Sequence, residues 1–153
     1  MIIFDLAVIG AGVIGLSIAK FYSALGHSVV VLEQESRAGE GISSRNSGVI
    51  HAGMYYPTNS LKTKFCIEGN RMLYEYATLK NISHKKLGKY IIASKGSELG
   101  KLDKIYEQGI SNGVKIKRCS KDEMQVKYPD LIVASGIYSS ETGIIDVPEF
   151  ITA

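Results

Sequence analysis

The chain has 153 residues, of which 45% are hydrophobic and 22% are charged, so its composition is that of an ordinary globular domain. The net charge of +3 is spread along the chain and gives no support for a nucleic-acid partner. The two cysteines, Cys66 and Cys119, form no C-x-x-C pair and have no histidine at metal-binding spacing. This favours reduced thiols over a disulfide, and we expect no metal site.

The longest apolar stretch, residues 6–19, is shorter than the ~20 residues of a membrane-spanning helix. Three glycines interrupt it, and Asp5 precedes it where a signal peptide would carry Lys or Arg. We therefore expect a cytoplasmic protein without a spanning helix. Peripheral contact with the inner face of a membrane stays open.

The first 33 residues predict one βαβ unit. Residues 4–9 are apolar and bounded by Gly10, which indicates a buried strand. Residues 13–25 carry apolar side chains at helical spacing, and Gly26 offers a left-handed stop. Residues 28–33 contain four consecutive aliphatic residues and predict a second buried strand.

Beyond this unit, hydrophobic spacing and capping residues predict further elements. In chain order they are a loop at 34–56, a helix at 60–80, a strand at 90–93, a helix at 97–112, a strand at 114–117, a short helix after Ser120, a strand at 137–139 and a helix that begins at Asp146. The helix at 60–80 is expected to bury Leu61, Phe65, Met72, Leu73, Tyr76 and Leu79. A doubly wound sheet needs about five strands, and only the two strands of the opening unit can be assigned to it, so we expect a piece of a larger protein.

The sequence GAGVIG at residues 10–15 matches G-x-G-x-x-G between a predicted strand and a predicted helix, the context that this motif requires. Gly10 makes the tight turn, Gly12 lets the backbone approach a pyrophosphate, and Gly15 lets helix and strand pack closely. Glu33 ends the second strand, where a carboxylate can bind ribose hydroxyls and repel a 2′-phosphate. The alternative is a glycine-rich turn with an incidental acid. The candidate dinucleotide-binding residues here are Gly10, Gly12, Val13, Ile14, Gly15, Glu33 and Gln34.

The loop at residues 41–48 offers hydroxyls, an amide and backbone N–H groups, which can hold the rest of a diphosphate and a ribityl chain. A flexible surface loop is the alternative, but residues 49–56 are apolar and aromatic, which indicates that the chain returns to the interior. Arg45 either pairs with phosphate or points to solvent. The candidate FAD-binding residues of this loop are Ser43, Ser44, Arg45, Asn46, Ser47 and Gly48.

The sequence SSRNSGVIHAGMYYP at residues 43–57 resembles the flavin-contacting segment of the L-2-hydroxyglutarate dehydrogenase/oxidase family. That family belongs to the wider D-amino-acid-oxidase and glycerol-3-phosphate-dehydrogenase class of flavoenzymes. The resemblance covers the whole chain, although family members are more than twice as long. Further similar segments lie at residues 60–62, 68–69, 73–76, 87–93 and 141–146.

The resemblance implies noncovalent FAD and oxidation of an L-2-hydroxy acid, typically L-2-hydroxyglutarate to 2-oxoglutarate. His51 is the candidate general base, and a histidine that only packs against the flavin is an equal alternative. Tyr55 and Tyr56 are candidates for the substrate pocket, with aromatic core packing as their alternative. Lys89 is a weaker candidate for the substrate carboxylate.

We expect an α/β fold, with a Rossmann-like FAD-binding βαβ unit and the start of a mixed-sheet α+β substrate domain. Residues 1–56 would be the N-terminal part of the FAD-binding domain, 57–142 part of the substrate domain, and 143–153 the start of the return. Other interpretations stay open: an amino-acid or glycerol-3-phosphate substrate, a NAD-only module, an inactive fragment, or a nucleotide-binding module that needs a complementing C-terminal polypeptide. Alone, the chain is expected to bind FAD weakly or not at all.

Overall fold

The computed structural model describes residues 2–153, which divide into two compact units. The first comprises the described residues up to Gly48 together with Asp146–Ala153, and the second is the continuous segment Val49–Ile145. The elements in chain order are β1 (Leu6–Ile9), α1 (Val13–Ala24), β2 (Val29–Leu32), β3 (Val49–Ile50), α2 (Leu61–Leu79), β4 (His84–Lys85), β5 (Lys89–Ala93), α3 (Leu99–Ser111), β6 (Ile116–Cys119), α4 (Lys121–Lys127), β7 (Ser135–Ser139), β8 (Gly143–Ile145) and α5 (Val147–Thr152). The expected domain boundaries after residues 56 and 142 stay a prediction about the complete protein.

The first unit is built on the predicted βαβ arrangement, which the structure confirms. Strands β1 and β2 are parallel, with Leu6 opposite Val29 and Ile9 opposite Leu32, and α1 connects them. A short 3-10 turn at Ile42–Ser44 and the helix α5 complete the unit. The apolar face of α1 remains exposed, with Ile14 at 73% and Phe21 at 61% of full exposure.

The second unit contains two three-stranded antiparallel sheets, in the orders β3-β8-β4 and β5-β7-β6. Helices α2, α3 and α4 belong to the same unit. Its core forms three small clusters of buried side chains. They are Ala52, Met54 and Val114; Ala93, Leu102 and Ile137; and Cys119, Met124 and Val133.

The predicted buried face of α2 is wrong for four of its six residues, whereas Leu73 and Tyr76 are half-buried. Leu61, Phe65, Met72 and Leu79 are between 58% and 75% exposed. The buried residues are instead Thr63, Asn70 and Ala77, which repeat every seven positions along the helix. Hydrophobic spacing could not reveal this face because two of its side chains are polar and become buried by hydrogen bonding to backbone oxygens.

Candidate functional site

The turn between β1 and α1 has a geometry that only glycine accommodates. Gly10 has a φ of +97°, and its amide donates to the carbonyl oxygen of Leu32 at 2.7 Å. A Cβ on Gly15 would overlap the carbonyl oxygen of Gly10, and a Cβ on Gly12 would lie 3.1 Å from Ser43 Oγ. Gly10 is therefore required for its backbone angle, and Gly15 is required because helix and strand approach each other too closely for a side chain.

Glu33 points its carboxylate at this turn. Oε2 accepts the amide of Ala11 at 2.6 Å, and Oε1 accepts the amides of Gln34 at 2.8 Å and Glu35 at 3.0 Å. The amides of Glu35 and Ala11 are the main reasons why the pKa of Glu33 lies below its ordinary value. The carboxylate is thus ionised at neutral pH, and a carboxylate with three bonds keeps capacity for a further donor.

The N-terminus of α1 presents free amides next to that carboxylate. The amide of Val13 donates to Ser43 Oγ at 3.0 Å. Among residues 2–153, no acceptor pairs with the amides of Gly12, Ile14 and Gly15. Unpaired N–H groups at the positive end of a helix dipole suit a phosphate. An open helix terminus beside an ionised carboxylate fits the pyrophosphate and ribose of an adenine dinucleotide.

The loop that follows β2 holds its shape through its own polar side chains. Asn46 donates its amide to the carbonyl oxygen of Ser43 at 2.7 Å and accepts the amide of Gly48 at 2.8 Å. Ser44 donates to the carbonyl oxygen of Gly41 at 3.1 Å. Arg45 and Ser47 are exposed. An open cleft of about 530 Å³ adjoins this loop and is lined by Glu35, Glu40, Gly41, Ile42, Ser44 and Arg45.

The candidate cofactor residues thus fall into two groups. Two of them contact the turn directly: the Ser43 hydroxyl accepts the amide of Val13, and the Glu33 carboxylate accepts the amide of Ala11. Ser44 and Asn46 use their side chains to fold the loop, and Arg45 between them is exposed. The roles of all these residues toward FAD stay predictions.

His51 lies in the second unit, directly after β3. Its carbonyl oxygen accepts the side-chain amide of Asn70 at 3.0 Å and the thiol of Cys66 at 3.5 Å. Partial desolvation lowers the pKa of the imidazole below its ordinary value, and the ammonium groups of Lys89 and Lys62 lower it further. The ring is therefore neutral at physiological pH, the state in which histidine can accept a proton.

Tyr55 and Tyr56 each lie against a lysine. Lys89 Nζ is 5.0 Å from the centroid of the Tyr55 ring, and Lys62 Nζ is 4.4 Å from that of Tyr56. Tyr55 is 42% exposed, and neither tyrosine belongs to the three buried clusters of the second unit. Tyr56 is half-buried, so neither residue is fully enclosed, which favours a binding role over core packing.

Three residues of these sites were not predicted from the sequence. Gly39, with a φ of +79°, donates its amide to the carbonyl oxygen of Ala11 at 2.9 Å, and only its place in a glycine-rich loop could have signalled this. Asn70 fixes the backbone of His51, and Lys62 lies near the His51 ring. Both occupy α2, where nothing in the spacing distinguishes them from solvent-facing residues.

In the part of the chain that the structure describes, no group of three or more His, Cys, Asp and Glu side chains is arranged to hold a metal ion. Of the helices within residues 2–153, none combines the length and apolarity needed to cross a membrane.

A βαβ unit with a glycine-rich turn and an acidic residue at the end of its second strand is the architecture of dinucleotide-binding α/β proteins. The model of one such family, the DAO family of FAD-dependent oxidoreductases, matches residues 5–153. The chain therefore belongs to this family, whose cofactor is FAD.

Relatives and solved structures agree with this assignment. The chain is 44% identical over 147 residues to an Arabidopsis thaliana protein named L-2-hydroxyglutarate dehydrogenase, mitochondrial, covering 95% of this chain and 30% of the relative. It is 32% identical over 152 residues to the L-2-hydroxyglutarate dehydrogenase of Salmonella houtenae, covering 98% of this chain and 36% of the relative. The chain thus spans about a third of the length of these curated relatives.

Among solved structures, FAD-bound L-alpha-glycerophosphate oxidase from Mycoplasma pneumoniae superposes with a TM-score of 0.90 at 26% identity, over 99% of this chain and 41% of that one. Glycine oxidase from Bacillus cereus gives a TM-score of 0.84 at 23% identity, over 98% of this chain and 42% of that one, which shows a shared fold. The expected α/β class and the FAD-dependent family are therefore confirmed.

Proposed function

We propose that this chain binds FAD as the N-terminal part of an enzyme that oxidises an L-2-hydroxy acid, L-2-hydroxyglutarate to 2-oxoglutarate. One observation carries the cofactor assignment: the ionised Glu33 carboxylate lies at a glycine turn whose neighbouring helix amides are unpaired. Similarity to proteins named L-2-hydroxyglutarate dehydrogenase over nearly the whole chain supports the choice of substrate.

The residues of the first unit would hold the cofactor by backbone groups more than by side chains. The amides of Gly12, Ile14 and Gly15 would bind the pyrophosphate, while Glu33 accepts hydrogen bonds from the ribose. Arg45 would supply a positive charge to the diphosphate. When bound, FAD supplies an acceptor for the two electrons and the hydrogen that leave the substrate Cα.

The second unit would supply the proton acceptor. An imidazole ring nitrogen of His51 takes the proton of the substrate hydroxyl, because its lowered pKa keeps the ring neutral before the reaction. Asn70 keeps the backbone of His51 in place by its hydrogen bond to the carbonyl oxygen. Tyr55 and Tyr56 would line the substrate pocket, each lying against one of the two lysines that affect the His51 ring.

A second candidate substrate is glycerol 3-phosphate, which the similarity to FAD-bound L-alpha-glycerophosphate oxidase favours.

A complementing C-terminal polypeptide is also part of the proposal, because the chain spans about a third of its relatives and the apolar face of α1 is exposed. We keep a cytoplasmic location, with peripheral contact at the inner membrane face as its alternative. Cell fractionation tests the location.

The cofactor proposal is tested by fluorescence titration of the purified chain with FAD and with NAD, with and without a separately expressed C-terminal polypeptide. FAD should be preferred, and Glu33→Gln should weaken its binding about tenfold, the effect expected for loss of a charged hydrogen-bond partner. Glu68→Gln is the matched control, because Glu68 is an exposed residue of α2 and has no place in the glycine turn or the loop that follows β2. A preference for NAD would contradict the proposal.

The substrate proposal needs a separate experiment. L-2-hydroxyglutarate is added under anaerobic conditions to the FAD-loaded, complemented protein, and the visible flavin spectrum is recorded. Bleaching is the expected result. An unchanged spectrum with L-2-hydroxyglutarate, together with bleaching by glycerol 3-phosphate, would assign the second candidate substrate.

A further inference from the structure

Two lysines lie near His51 on different elements of the second unit. Lys62 belongs to the first turn of α2, and Lys89 begins β5. Each ammonium group lies over its own aromatic ring, at 4.4 Å from the centroid of Tyr56 for Lys62 and at 5.0 Å from that of Tyr55 for Lys89. A ring contact of this kind holds a flexible lysine in place while leaving its N–H donors available.

Neither ammonium group is neutralised by a carboxylate. Within residues 2–153, no Asp or Glu oxygen lies within 4.0 Å of Lys62 or Lys89. Other cations of the same unit are paired, for example Lys86 with Glu141 at 2.6 Å. Two uncompensated positive charges next to one imidazole raise the local potential, which favours an anion with two charges.

We propose that Lys62 and Lys89 form a receptor for a dicarboxylate, in which Lys89 pairs with the carboxylate next to the reacting carbon and Lys62 pairs with the distal carboxylate. The proposal rests on the function proposed above, in which His51 accepts the proton of a 2-hydroxy acid. It adds a structural reason for a dicarboxylate over a monocarboxylate.

The arrangement of the lysines supports two separate carboxylate positions. Each ammonium group is held by a different ring, so the pair offers two positions for negative charge, whereas a single phosphate at one position would leave the other lysine uncompensated. Of the two, Lys89 has the larger effect on the imidazole of His51. The proposal assigns the carboxylate nearest the reacting hydroxyl to Lys89, and the two charge-removing variants test this order.

The receptor can be tested without flavin by NMR titration of the chain. The probes are L-2-hydroxyglutarate, the monocarboxylate L-2-hydroxybutyrate and inorganic phosphate, observed through the ring resonances of His51. The variants are Lys62→Met and Lys89→Met, which remove the charge and keep a long apolar side chain. Lys64→Met is the matched control, because Lys64 is an exposed residue of the same helix.

The unmodified chain should bind the dicarboxylate about tenfold more tightly than the monocarboxylate or phosphate, as one extra charged hydrogen bond predicts. Lys62→Met should abolish this preference and leave the monocarboxylate affinity unchanged. Lys89→Met should weaken both acids about tenfold, and Lys64→Met should change neither. Equal affinity for both acids in the unmodified chain, or a Lys62→Met variant that keeps the preference, would overturn the receptor.

A pH titration of the His51 ring in the same samples gives a second measurement. Both charge-removing variants should raise the pKa of His51 relative to the unmodified chain, because each removes a nearby positive charge. An unchanged pKa in both would also overturn the receptor. Two outcomes separate this proposal from the proposed function. If the chain binds the dicarboxylate through its lysines but fails to bind FAD, only the oxidoreductase function is contradicted. If the flavin is reduced but the preference for the dicarboxylate does not depend on either lysine, only the receptor is contradicted.

Discussion

Gly15 offers a sharp test of the glycine turn, because a methyl group there would meet backbone atoms. A Cβ at this position would overlap the carbonyl oxygen of Gly10 and lie 3.3 Å from Val8 Cγ1. Replacing a helical glycine with alanine ordinarily stabilises by roughly 0.5–1 kcal/mol, whereas overpacking costs about 1–3 kcal/mol. Since the overlapping atom belongs to the backbone, we expect the packing cost to exceed the gain. Gly15→Ala should destabilise the first unit by about 1–2 kcal/mol.

Gly69→Ala is the matched control. Gly69 also lies inside a helix, α2, and no atom lies within 4 Å of a Cβ placed there. This variant should gain about 0.5–1 kcal/mol. Hydrogen exchange read by mass spectrometry resolves the two units, so α1 should lose protection in Gly15→Ala and α2 should gain it in Gly69→Ala. An α1 that is equally or better protected in Gly15→Ala would refute the backbone overlap.

Three further predictions concern hydrogen bonds and protonation. Asn70→Ala should lower the free energy of unfolding of the second unit by about 1–3 kcal/mol, because the carbonyl oxygens of His51 and Glu141 each lose a donor. Urea titrations measure this change, and an unchanged free energy of unfolding would contradict the prediction. Ser43→Ala should cost α1 about 1 kcal/mol by removing the acceptor of the Val13 amide, and unchanged exchange rates in the first turn would count against it. Because the pKa of His51 is lowered in the folded state, the free energy of unfolding should fall as pH drops through the ordinary histidine pKa toward the folded value. His51→Gln should remove this loss of stability. The same dependence of stability on acidic pH in the variant and the unmodified chain would disprove the prediction.

The first unit could be predicted because its signals are local. Gly10 and Gly26 both adopt positive φ values, of +97° and +91°, at the turns where their lack of a side chain suggested them. The strands and the helix between them follow continuous apolar patterns, and their observed ends agree with the expected ones to within two residues.

The second unit could be predicted less well because its determining contacts are distant in sequence. Strands β4 and β8 have two and three residues, too few to show a period, and they form because β8 pairs with both β3 and β4. Asn70 reaches the carbonyl oxygens of residues 19 and 71 positions away. Lys62 gave no signal, because its position near His51 depends on how α2 packs.

The pairing of β3 with β8 has a consequence for the order of folding. Val49 opposite Ile144 brings the two ends of the second unit together, although most of the chain separates them. Closing such a long loop is entropically unfavourable, and once the inserted segment has folded, the segment that follows it no longer bears this cost. Helix α5, whose Ile151 packs against Gly39, can therefore join the first unit at low entropic cost only after the inserted segment has folded. During synthesis, we therefore expect α5 to join the βαβ unit after the inserted segment has assembled.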